Sequence, residues 1–158
     1  MSRLSEELKP FAVTESADVT TNGVDTKSVN FGKLHSGMYM LNFGSITADD
    51  VLKVYVGAAT ATKTTAIAFR YRLAGADTKS AGSDSFGAFT AVASTGLTLT
   101  AATFDHKCVI VEIDSQEIAD ATPYVTLEIA GSATTQNVSI TFIGKPRFSN
   151  NAGLPTVL

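Results

Sequence analysis

Apolar and polar residues alternate along this chain with a period of two, in short runs separated by turn residues. The pattern is plainest between Cys108 and Phe148. There Val109, Val111 and Ile113 alternate with Cys108, Ile110 and Glu112; Val125, Leu127 and Ile129 with Tyr124, Thr126 and Glu128; and Val138, Ile140 and Phe142 with Asn137, Ser139 and Thr141. Successive side chains of a strand point to opposite faces, so each run has one face for a core and one for solvent. Consecutive strands of this kind need a second layer to cover them. The same period recurs upstream, in Tyr39, Leu41 and Phe43 and in Leu52, Val54 and Val56. AIAFRYRLAG predicts the longest strand, with Ile67, Phe69, Tyr71 and Leu73 inward and Arg70 and Arg72 together on the other face. Two arginines on one strand face repel unless a carboxylate or a partner sits opposite.

The segments between these runs read as connections. Met1 to Val13 is charged at its start, and Pro10 stops the single helical turn that Leu4 and Leu8 would allow, so it predicts an N-terminal arm. Asn22-Gly23 is a hairpin-type turn leading into a short strand with Val29 and Phe31. Asp49 and Asp50 mark a turn, and ADTKSAGSDSFG, without periodicity and rich in Gly, Ser and Asp, predicts the most exposed loop. AFTAV and GLTLT give short strands around Phe89, Leu97 and Leu99; TAATFDHK reads as a polar connection; SQEIAD holds one helical turn. The fold expected is all-β: a jelly-roll-like antiparallel β-sandwich over residues 14–148, with a flexible arm at 1–13 and a tail at 149–158.

Composition narrows the function classes. At 158 residues the chain fits one domain that can bury a core without metal or disulfides. Its net charge of −3 and pI near 5.3 supply no basic footprint, which argues against nucleic acid as a partner. The single Cys108 makes no intramolecular disulfide and, on a strand, reads as a small apolar group. No apolar run reaches the length of a membrane span, and Arg3, Glu6, Glu7 and Lys9 stand where a signal peptide would be apolar. The expectation is a chain made in the cytosol that stays there or leaves by cell lysis, with no membrane partner.

Candidate chemistry is thin. Asp105, His106 and Cys108 place a carboxylate, a base and a thiol close in sequence, but neighbours on extended chain point apart, so a plain turn entering a strand is the better reading. Asp77 and Asp84 lie on a loop whose spacing matches no calcium loop. Tyr39 and Tyr71 fall on core faces, which argues against a sugar-stacking platform with Tyr55 and Tyr124. No Gly-rich loop leads into a helix to cradle phosphate. The expectation is a protein that is not an enzyme, with no cofactor and no metal.

A resemblance supplies what these patterns do not. Ile46, Thr47 and Ala48; Tyr71, Arg72 and Leu73; Phe86, Gly87 and Ala88; Val109 to Asp114; Pro123, Tyr124 and Val125; and Lys145, Pro146, Arg147 and Phe148 form a series spanning roughly Phe31 to Phe148. That series resembles the capsid decoration, or cement, proteins of tailed bacteriophages. The chain departs from their pattern in having Phe148 where Tyr is commoner. The resemblance implies a jelly-roll protein of the virion, made in the host cytoplasm and seated on the capsid exterior as a homotrimer, with the major capsid protein as its partner. Together with the outward arginines, it makes Arg3, Lys9, Phe11, Arg70, Arg72, Arg147 and Phe148 candidates for capsid or oligomer contact. The alternatives are a carbohydrate-binding β-sandwich module of a phage fibre and another phage structural subunit, such as one from the tail.

Overall fold

The computed structural model describes residues 7–18, 23–131, 136–147 and 158, and these fold into two packed antiparallel sheets. The strands are β1 (Lys9–Asp18), β2 (Val24–Asp25), β3 (Val29–Asn30), β4 (Leu34–Ile46), β5 (Asp50–Gly57), β6 (Thr65–Ile67), β7 (Phe69–Leu73), β8 (Thr90–Val92), β9 (Leu97–Leu99), β10 (Cys108–Asp114), β11 (Tyr124–Ile129) and β12 (Gln136–Pro146). A single helical turn, α1 (Ala101–Phe104), precedes β10, and 3-10 turns lie at Phe31–Lys33 and Ser115–Glu117. Sheet one runs β1-β12-β4-β10-β7-β8; sheet two runs β2-β11-β5-β6, with β3 beside β11 and β9 beside β5.

The pairing is nested. β1 pairs with β12, β2 with β11, β4 with β10 and β5 with β6, so partners step inward from the two ends of the chain. That is one long hairpin rolled over itself, the topology of a jelly roll, with β7 and β8 inserted at the far edge of sheet one. Rolling the hairpin makes the chain alternate between sheets, which turns the alternation in each strand into a shared interior.

The interior is filled by the residues that the alternation marks. Tyr39, Leu41, Leu52, Val54, Val109, Val111, Val125, Leu127, Ile129, Ile140 and Phe142 are all fully buried in one core. Phe142 is its centre, with ring centroids 5.2 Å from Phe11, 5.8 Å from Phe31 and 4.8 Å from Tyr39. The space this ring needs is made by glycine. A Cβ at Gly37 would overlap the Phe142 ring, and one at Gly144 would lie 2.7 Å from it. The Tyr39 hydroxyl crosses between the sheets to donate to the Val125 carbonyl at 3.3 Å, and its burial pushes its pKa up. Leu127, fully buried at the middle of β11, is expected to cost about 2–5 kcal/mol on truncation to alanine. Chemical denaturation measures it; a change within error would place the other face of β11 inward.

Three expectations are corrected. The arm at 1–13 does not include Lys9 to Val13: these residues open β1, Phe11 packs on Phe142 and Val13 is buried. Pro10 is accommodated because β1 is the edge of sheet one, where β12 is its one neighbour in the sheet. AIAFRYRLAG is not one long strand. β6 pairs with β5 in sheet two and β7 with β10 in sheet one, so the chain changes sheets at Ala68, and β4 is the longest strand. TAATFDHK contains α1, whose Phe104 is buried against the core.

Candidate functional site

The outward face of sheet one is unusual for a face turned to solvent. The register aligns Pro10, Ile143, Met38, Glu112, Arg70 and Ala91 in one row across the sheet. The next row is Ala12, Thr141, Met40, Ile110 and Arg72, and Phe89 continues it beside Arg72. Met38, Met40, Ile110 and Ile143 are half-buried here by one another and by their neighbours, although no further layer of the described residues covers them. A shallow groove of about 280 Å³ opens along the first row, lined by Leu8, Met38, Arg70, Glu112, Ile143 and Lys145 among others. An apolar stripe with a charged margin is the composition of a protein-binding surface.

The two arginines of β7 are handled differently. Arg70 donates from Nη2 to Glu117 Oε1 at 2.9 Å, the carboxylate being held by the 3-10 turn after β10. Both side chains of that pair are about half exposed, so it contributes little to stability. Arg72 joins none of the ion pairs between described residues. Its guanidinium carbon lies 4.0 Å from the centre of the Phe89 ring, and its Nε is buried with no hydrogen-bond partner. A buried donor left unsatisfied costs about 1–3 kcal/mol. Phe89 itself is 41% exposed, one of the two large hydrophobic side chains exposed among the described residues.

The outer face of sheet two is partly covered by the segment between β5 and β6, beside a groove of about 330 Å³ lined by Asp25, Ser28, Ala61, Lys63 and Thr126 among others. Lys63, from the segment between β5 and β6, lies 2.9 Å from Asp25, contacts Glu128 and stands 5.7 Å over the Tyr55 ring. The hydrogen bonds that Lys63 donates to Asp25 and then Glu128 raise the pKa of the ammonium. Ser28 and Thr126 hydroxyls meet at 2.8 Å, and the Ala61 backbone N–H donates to Ser28 Oγ at 2.8 Å. Tyr55 and Tyr124 lie on this face on paired strands, but Lys63 already occupies the ring of Tyr55.

No protein-family model, curated protein or solved structure matches this chain.

The proposed contact residues therefore separate by geometry alone. Arg70 and Arg72 lie on the open face of sheet one. Phe11 turns inward onto Phe142, and Lys9, opposite Gly144, shares its side of β1. Arg147 is tied to its own fold, its Nε donating to the Leu34 carbonyl at 2.8 Å. Arg3 and Phe148 lie outside the described residues. Sequence reasoning missed Met38, Met40 and Ile143. The available signal was the run Met38-Tyr39-Met40-Leu41, apolar on both faces of the strand.

The other candidates fall apart as a site. Asp105 Oδ1 accepts the Ile46 backbone N–H at 2.8 Å, so this carboxylate closes a turn. His106 is exposed, in left-handed backbone at φ 53, and its Nε2 is 3.9 Å from Asp105. Cys108 is buried, and that burial pushes its thiol pKa up, away from the reactive thiolate. Asp77 and Asp84 are exposed on their loop, and among the described residues no cluster of His, Cys, Asp and Glu is placed to hold a metal. No helix among them is long and apolar enough to cross a membrane.

Proposed function

We propose that the protein is a capsid decoration protein of a tailed bacteriophage, which binds the outside of the shell and ties neighbouring major capsid subunits together. The observation that carries this reading is the open face of sheet one: a half-buried apolar stripe, framed by Arg70, Arg72, Glu112 and Lys145. Such a surface offers shape and burial to a protein partner. The resemblance over Phe31 to Phe148 supports the choice of partner. In this reading the protein acts as a homotrimer, needs no cofactor, and works by adding contact area between subunits rather than by chemistry.

The test is reconstitution. Purified full-length protein added to capsid shells assembled without it should saturate them at a fixed ratio, sedimentation of the free protein should report a trimer, and decorated shells should survive heating or loss of divalent ions that opens bare ones. Failure of the wild-type chain to bind any shell of its own phage would overturn the reading.

A further inference from the structure

The stripe on sheet one ends in an unresolved electrostatic problem, and its solution identifies what the partner must bring. Arg72 carries a full charge whose Nε is buried and bonded to nothing, and it takes part in no ion pair among the described residues. Its neighbours along the row are Ile110 on one side and Phe89 on the other, neither of which can accept a hydrogen bond from it. Of the nearby opposite charges, Glu117 accepts from Arg70, and Glu112, exposed and in register beside Arg70, forms no ion pair with Arg72 among the described residues. The Phe89 ring that stacks on the guanidinium is itself substantially exposed and sits just before β8, at the sheet's outer edge.

From this we infer that Arg72 and Phe89 form the anchor of the docking face, and that it takes an acidic side chain from the partner protein. The carboxylate is held by the guanidinium fork while its stem lies on the Phe89 ring. A carboxylate fits because the fork matches its two oxygens, and because a charge-assisted bond is the strongest compensation for a buried cationic donor. Reaching Nε requires the ring to slide off it, and Phe89, exposed in the segment just before β8 and outside the core, leaves that movement free of core packing. Met40 and Ile110 then line the path by which the partner segment crosses the sheet. This inference rests on the reading of sheet one as the docking face.

Two measurements test it separately from that reading. In the isolated full-length protein, the Arg72 Nε–Hε resonance is followed while N-acetylglutamate, and in parallel N-acetylglutamine, is added, with Arg70 as the internal reference. A shift of Arg72 with the carboxylate alone is expected; no shift, or an equal one with the amide, overturns the anchor. On bare shells, Arg72→Gln is expected to weaken binding at least about tenfold. Arg72→Lys should lose nearly as much, because it keeps the charge and loses the fork, and Phe89→Ala should lose less. Arg72→Gln binding as tightly as wild type would overturn the anchor while leaving the docking face standing. If wild type ignores shells, the function fails, and the resonance experiment still decides whether Arg72 accepts a carboxylate.

Discussion

Replacing Phe142 with alanine is expected to lower the unfolding free energy by about 3–5 kcal/mol. The ring is fully buried, and three aromatic neighbours from β1, β4 and the Phe31–Lys33 turn converge on it. Collapse around the vacancy is limited because those neighbours belong to different strands held in register, so a cavity remains and adds to the lost transfer energy. Gly37→Ala should be destabilising for the complementary reason, since its methyl would occupy space the ring already holds. Urea titration of both variants is the check. A loss below about 1 kcal/mol for Phe142→Ala would mean that the ring is not packed as described.

Deleting Met1 to Val13 separates a strand from an arm. A free arm could be removed without consequence for the sandwich. Here the deletion removes the Phe11 contact with Phe142 and the burial of Val13, and it uncovers the edge of β12 over Gly144 to Thr141. The expected loss is about 3 kcal/mol, from full burial of one side chain and partial burial of another. The truncated protein should also self-associate, because the exposed backbone of β12 is a template for another chain. Thermal unfolding and sedimentation read these two effects. An unchanged melting temperature would show that Lys9 to Val13 contribute nothing to the sheet.

The inner faces of β4, β5, β10, β11 and β12 were legible because each strand carries three apolar residues in a row at every second position, such as Tyr39, Leu41 and Phe43 or Val125, Leu127 and Ile129. β1 was hidden by Pro10. A proline normally argues against a strand, and only the position of β1 at an edge removes the objection. The break between β6 and β7 was invisible for another reason: Ile67, Phe69, Tyr71 and Leu73 keep their period while the hydrogen-bond partners change from β5 to β10. Side-chain period reports which face is inward and carries nothing about which strand lies alongside. α1 spans only Ala101 to Phe104, too short for a helical period to register.

The candidate face was half legible. Arg70 and Arg72 stood out as like charges on one strand, and the carboxylate expected opposite one of them is Glu117. The stripe they border was not visible, because Met40, Ile110 and Thr141 are far apart in sequence and become neighbours only through the register of three strands. The missing partner of Arg72 is likewise a statement about space around one nitrogen, which no residue pattern encodes.

The nested pairing also sets the order in which the molecule can be completed. Of the described strands β1 leaves the ribosome first, and its neighbour β12 is made last. Until then Phe11 has no Phe142, β4 lacks its β12 neighbour, and sheet one is left with β4, β10, β7 and β8. Closing pairs this distant in sequence is intrinsically slow, and the apolar strands waiting for it are open to wrong partners. The nascent chain is therefore an unfinished sheet until β12 appears, and its apolar strands stay exposed to wrong pairing until β12 inserts between β1 and β4.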